Sequence, residues 1–230
     1  TISGHYSKTG AAPLVNLTRA TARSGARGKG SKWSEYDFAS WCAVWLLYLV
    51  EFSDWDSQSK IGRGYVDGNS SAISSGGTDS MTYHTGCAAG TDGKTAVQYR
   101  HIENPYGNVF EWIDGINFSD GTVYVCLNPA SYADDTANNY TNIGTKIQNN
   151  GYISAIGVAA AMPWAFYPTA VGGSETTYIP DYAYFSSGWR VLRVGGDWGY
   201  GGDAGLFYFY AYYSSSDTNS NVGARLLFHP

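Results

Sequence analysis

From Ala96 to the C-terminus the chain reads as short alternating apolar segments separated by Gly, Asn, Asp and Pro, clearest at Thr122 to Leu127, Gly151 to Val158 and Trp189 to Val194. Period-two alternation over such short runs is the pattern of half-buried strands. Helical periodicity belongs to the N-terminal part. Residues 14 to 27 read as a strand leading into a short helix whose arginines fall three to four apart on one side, with Asn16 or Thr18 able to cap it. A second helix starts at Ser34 or Tyr36 and places Phe38, Trp41, Cys42, Trp45, Leu46 and Leu49 on one wide buried face. Asp54 and Asp56 end it, and a loop-rich stretch runs from Gly62 to about Lys94. Helices first and strands later predict an α+β fold, two N-terminal helices packed on short antiparallel sheets, in a single domain over residues 1–230.

The chain is polar in an unusual way. Charged residues make up 14 % and aromatics 16 %, with 20 Tyr and 8 Trp, so polarity rests on Gly, Ser, Thr, Asn and tyrosine hydroxyls. That balance is closer to a recognition surface than to an ordinary enzyme. A net charge of -5 without a Lys/Arg run argues against nucleic acid as a partner. The longest apolar run, Ala43 to Val50, is too short to span a bilayer, so no membrane insertion is expected. Cys42, Cys87 and Cys126 are odd in number and widely spaced, which predicts buried free thiols.

Motifs for catalysis and metal binding fall short on inspection. Gly90 to Thr95 ends like a phosphate-binding loop, but the first glycine of that motif would fall on Ala88 and no apolar strand precedes it. His101-Ile102-Glu103 has the spacing of a zinc deaminase motif without the cysteine pair that completes it. Asp54 with Asp56, or Asp134 and Asp135 with Asn138 and Asn139, lack the glycine and terminal glutamate of a calcium loop. No catalytic residue, metal ligand or cofactor is expected.

Two stretches carry more. Asn104-Pro105-Tyr106-Gly107-Asn108-Val109-Phe110-Glu111-Trp112 places a tight turn at Gly107, core groups at Val109, Phe110 and Trp112, and at Glu111 a carboxylate for the amides of a neighbouring loop. Trp189 to Trp198, with Asn221 to Leu226, supplies Arg190, Arg193, Gly195, Gly196, Gly223 and Arg225. These stretches resemble the GNVWEW and RVxRGGSW…NxGFR signatures of the formylglycine-generating-enzyme and sulfatase-modifying branch of the C-type lectin fold. Phe110, Asp197 and Ala224 depart from the pattern, and Val194 is inserted. The resemblance implies a C-type-lectin-like fold in which Trp112 and Trp198 are scaffold residues. Enzymes of that branch use cysteines in the C-terminal region; the last cysteine here is Cys126, so their activity is not expected.

Between the two framework ends, residues 197 to 217 are dominated by Asp, Gly, Tyr, Phe, Ala and Ser. This resembles the variable region of proteins diversified by retroelements through adenine-directed mutagenesis, in which asparagine codons reach such residues but not Lys, Glu, Gln, Met or Trp; the stretch fits that restriction except at Trp198, which the resemblance makes a framework residue. No Lys or Gln follows Gln148 and no Glu follows Glu175. The resemblance implies variable, ligand-contacting positions at Asp197, Gly199, Tyr200, Asp203, Tyr208, Tyr210, Tyr212, Tyr213 and Asp217. By alternation, Phe207 and Phe209 are expected in the core, and Tyr210, Tyr212 and Tyr213 are expected at the surface, since burying every hydroxyl would require a partner for each. The implied function is recognition of a macromolecule, a cell-surface protein or glycan, by a phage tail-tip protein or a prokaryotic surface protein, with oligomerisation compatible. The competing expectations are a formylglycine-generating-type enzyme and a fixed calcium-dependent lectin.

Overall fold

The computed structural model describes residues 8–230; the first seven positions of the expected N-terminal strand and helix segment, 1–30, lie outside the described residues. Helix α1 spans Arg19–Arg27, strand β1 Trp33–Glu35, helix α2 Phe38–Phe52 and the one-turn helix α3 Ser57–Lys60. A loop-rich stretch then carries β2 (Gly86–Cys87), β3 (Val97–Tyr99) and β4 (Ile102–Glu103). The remaining strands are β5 (Phe110–Ser119), β6 (Thr122–Val125), β7 (Thr141–Lys146), β8 (Gly151–Ala159), β9 (Met162–Val171), β10 (Tyr182–Phe185), β11 (Trp189–Val194), β12 (Phe209–Ala211), β13 (Val222–Ala224) and β14 (Leu226–Phe228). The fold is α+β, with few helices and many strands.

The main sheet runs β7-β6-β5-β11-β12-β10-β8-β9, with β13 also paired to β5, and β7 comes up to β8 so that the sheet nearly closes. The expectation of short antiparallel sheets needs correction. Nine strands share one sheet, and two of its pairings, β10 with β12 and β13 with β5, are parallel.

Thr18 caps α1 by accepting from the Thr21 amide at 3.1 Å, as its position in the sequence implies. Among the described residues no strand precedes the helix; Leu17 is instead buried, and its carbonyl accepts from Trp112 Nε1 at 3.0 Å. The second helix starts later than expected. Residues 33–35 pair with β14, nearly two hundred positions away, and Asp37 becomes the cap, accepting from the Ser40 amide at 2.9 Å. Phe38, Trp41, Cys42, Trp45 and Tyr48 form the buried face of α2, while Leu46, expected there, is exposed. Trp45 stands edge-on to Phe207 at 4.6 Å and donates through Nε1 to the Leu206 carbonyl at 2.9 Å. Phe209 packs on Trp41 and Phe118, so Phe207 and Phe209 are core residues as expected.

Helix α1 is fixed by its arginines. Strand β5 pairs with β11 in a register that jumps from Leu192 opposite Ile113 to Val191 opposite Asn117, leaving a bulge at residues 114–116. Gly115 takes φ +74° there, and a Cβ on it would come within 3.0 Å of the Cys126 carbonyl. Arg19 enters the bulge, donating to the carbonyls of Ile113 and Ile116 at 3.2 and 2.8 Å and to Asn117 Oδ1 at 2.6 Å. One turn on, Arg23 donates to both carboxylate oxygens of Asp114 at 2.6 and 3.1 Å, and Asp134 binds both arginines. Beside this network the Glu35 carboxyl is fully buried with no hydrogen-bond partner, and desolvation, then Asp114, raises its pKa well above the usual range.

Candidate ligand-binding face

Strand register decides which tyrosines share a face. Tyr184 of β10 lies opposite Tyr210 of β12, Tyr210 opposite Arg193 of β11, and Arg193 opposite Trp112 of β5. Their neighbours Ala183, Phe209 and Leu192 point the other way, into the main core. Tyr182 opposes Tyr152 of β8 and extends the row by one strand. Ring centroids follow one another at 5.0 Å from Tyr152 to Tyr182, 4.4 Å to Tyr184, 4.9 Å to Tyr210 and 5.6 Å to Tyr213, and Tyr213 meets Tyr212 at 5.3 Å. Tyr200 leans on Phe110 at 5.0 Å and on Tyr208 at 5.5 Å. Eight tyrosines thus form one layer over the sheet, at separations where aromatic pairs attract.

The segment that supplies most of the layer is tied at both ends. Gly195 and Gly196 take positive φ, and a Cβ on Gly196 would sit 2.7 Å from that of Ala204, so the chain can turn this tightly only with glycine. Asp197 then accepts from the Gly199 amide at 2.8 Å and from the Asn221 side-chain amide, closing a neck between the segment's start and its return. Further along, Asp217 pairs with Arg193, whose guanidinium carbon lies 4.1 Å from the Trp112 ring centre and 4.6 Å from that of Tyr213. Burial lowers the pKa of Arg193, and the Asp217 carboxylate opposes that shift.

The candidate positions separate into two groups. Gly199, Tyr212 and Tyr213 are exposed, the two tyrosines at 43 % and 40 %, and Tyr200, Asp203 and Asp217 are half-buried. Tyr208 and Tyr210, at 0 % and 6 % exposure, are buried, which corrects the surface placement of Tyr210. The cause is tertiary: β12 lies between β10 and β11, and the rings of Phe110, Tyr184, Tyr208 and Tyr213 close over Tyr210. Its hydroxyl pKa rises through desolvation, and that of Tyr184 reaches about 12 for the same reason. The Tyr208 hydroxyl is buried without a partner in hydrogen-bonding geometry. Asp197 is also buried, its pKa raised by desolvation, so it is a neck residue and not a contact residue. Trp198, expected to lock the core, is half-buried in the turn that follows. Tyr152, Tyr182 and Tyr184 escaped the sequence reading; the Tyr182-Ala183-Tyr184 alternation just after buried Asp181 is the signal that could have found the last two.

The other candidate residues are occupied in the fold. Asp54 and Asp56 accept from the amides of Asp56 and Ser59, the second capping α3, and Asp135 accepts from the Ser215 hydroxyl. The 90–95 loop leads into β3 instead of a helix, and the Gly93 carbonyl binds the amides of Val66 and Asp67. His101 stands in an exposed turn beside His84. Cys42 and Cys126 are buried free thiols, whereas Cys87 is half-exposed. Phe110 and Trp112 are buried as expected and Gly107 takes φ +71°, but Glu111 pairs with Arg225 and not with loop amides. Glu111 and Arg225 line a cavity of about 1000 Å³ with Glu103. There Glu103 accepts from the Gly76 amide at 3.0 Å and the Thr78 hydroxyl at 3.0 Å, so these charges already bind each other or the backbone. No family model matches the chain, and no curated protein matches it.

Proposed function

We propose that the chain is a ligand-binding protein, not an enzyme, built on a C-type-lectin-like scaffold and carrying in residues 197–217 a recognition surface of the kind that retroelements diversify. Its target is a cell-surface protein or glycan, and its place is a phage tail tip or a prokaryotic cell surface. The observation that supports this best is the layer of partly exposed tyrosines between two framework ends tied by Asp197, Asn221, Arg193 and Asp217. Tyrosine offers large rigid contact area at little rotamer cost, and its hydroxyl pairs with protein or glycan groups alike. The contact set is Gly199, Tyr200, Asp203, Tyr212, Tyr213 and Asp217, extended by Tyr152, Tyr182 and Tyr184 and supported from below by Tyr208 and Tyr210.

Binding to a panel of intact prokaryotic cells tests the reading. Tyr212→Ala or Tyr213→Ala is expected to weaken capture roughly thirtyfold, the effect of about 2 kcal/mol at an interface hot spot. Matched changes at Asp54 or His101 leave capture unchanged. Retained capture in both tyrosine variants, with loss in the Asp54 or His101 variant, would move the site elsewhere. A reverse-transcriptase gene next to this one, with a near-copy of the segment encoding residues 195 to 225 that differs at adenines, is the expected genetic context.

A further inference from the structure

The tyrosine layer is bounded by carboxylates. At its β8 end Asp203 Oδ1 accepts the Tyr152 hydroxyl at 2.6 Å, and the Glu175 carboxylate reaches the same turn, 3.8 Å from where a Cβ on Gly202 would stand. Among the described residues neither Asp203 nor Glu175 has an ion pair. At the β11 end lie Asp217 and, through Ser215, the exposed Asp135. The cations near the face are already used. Arg63 donates to both oxygens of Asp67 and to Gln58, and Arg193 is buried between Trp112 and Tyr213 while paired with Asp217. Beside the Arg63–Asp67 pair, what the face presents outward is therefore aromatic rings and the carboxylates of Asp203, Glu175 and Asp135, none of them in an ion pair among the described residues.

We infer that the partner this face fits is a basic segment of a protein, which lays arginine or lysine side chains on the tyrosine rings and against the flanking carboxylates; the inference rests on the binding role proposed above. A cation over a tyrosine face gains from the ring quadrupole, and gains more where the ring is partly desolvated, as these are. Arg193 shows the mode inside the molecule, with its guanidinium between two rings and its charge met by one carboxylate. Charge complementarity also accelerates encounter and excludes acidic partners. The row crosses β8, β10, β12 and β11, three strand spacings and so roughly 15 Å. An extended peptide advances about 3.3 Å per residue, so about five residues cover it, with basic side chains at each end.

The test is fluorescence anisotropy on the full chain with a labelled Arg-Gly-Ser-Gly-Arg peptide, its citrulline counterpart of the same shape without charge, and a panel of neutral oligosaccharides. The arginine peptide is expected to bind about tenfold or more tightly than the citrulline one, about 1.4 kcal/mol. The preference shrinks with added salt, and the double variant Asp203→Asn, Glu175→Gln, whose melting is unchanged, abolishes it. Equal binding of the two peptides, no binding of either, or a preference that survives the double variant overturns the inference. So does salt-insensitive binding of a neutral oligosaccharide that Tyr212→Ala abolishes, an outcome that leaves the binding role intact. Binding of every probe indifferent to Tyr212 and Tyr213 overturns both.

Discussion

The latch beneath α1 and the tyrosine layer both rest on strands β5 and β11, yet they hold their polar atoms in opposite ways. In the latch, Arg19 and Arg23 bring full charges into the interior, and each guanidinium is met by named acceptors at 2.6 to 3.4 Å: two bulge carbonyls, Asn117, Asp114 and Asp134. In the layer, contacts run ring to ring, and one hydroxyl, that of Tyr208, is buried with no partner. The latch depends on particular atoms at particular places, because a charge left without its partner in the interior is expensive. The layer depends on surface area and on backbone pairing supplied by the strands. One region is therefore intolerant of substitution, and the other accepts it wherever a ring reaches solvent.

The largest effect that could break this contrast is at the latch. Arg19→Ala leaves Asp134 and the bulge carbonyls short of a donor and should cost about 3 to 5 kcal/mol, measured by chemical denaturation. A loss below about 1 kcal/mol would mean that the bulge is held by packing alone.

Glu35 sharpens the same contrast, as a carboxyl beside the latch that is buried with no hydrogen-bond partner. Its folded pKa lies above the unfolded value, so folding takes up a proton. The contribution of Glu35 to stability is then fully present below the ordinary glutamate range, near 4.3, and is lost as pH rises through it toward the folded pKa. Glu35→Gln should remove that slope, melting like the parent near pH 4 and above it near pH 7, by an amount on the order of 1 kcal/mol or more. An unchanged pH profile would mean that Glu35 is ionised in the fold. Asp181, buried and with a raised pKa beneath the Gly205–Tyr208 turn, contributes a slope of the same sign.

The smallest effects belong to the exposed rings of the layer. Tyr212→Ser should shift stability by less than about 0.5 kcal/mol. Tyr213→Ser should cost up to about 1 kcal/mol, because it uncovers Arg193. Tyr210→Ser, the buried control, should cost about 3 kcal/mol or more. Equal costs at 210 and 212 in thermal melts would erase the distinction between the floor of the layer and its exposed rings.

Local pattern made the helices legible: the arginine spacing in α1, the Thr18 cap and the aromatic face of α2 are all visible within a turn or two of sequence. Strands β6, β8 and β11 were equally plain from alternation, and so was the inward turn of Phe207 and Phe209. What stayed hidden depends on distant partners. Trp33–Glu35 is a strand only because residues 226–228 return beside it, and that pairing also buries Glu35. Tyr210 alternates correctly with Phe209, but alternation gives the face and not the cover, and the cover comes from Tyr184, a strand away. Asp197 has the composition of a contact residue and becomes a tie because Asn221 comes back to meet it.

That tie bears on length as well as on sequence. With Asp197 and Asn221 holding the two ends together, the cost of closing the chain between them grows only with the logarithm of its length, about 0.6 kcal/mol for each doubling. Residues added near Ser214 or Thr218, where the chain is in an irregular stretch after β12, extend a loop whose exit and return are already fixed. The scaffold is thus suited to carrying recognition segments longer than its own, with the sheet beneath them unaltered.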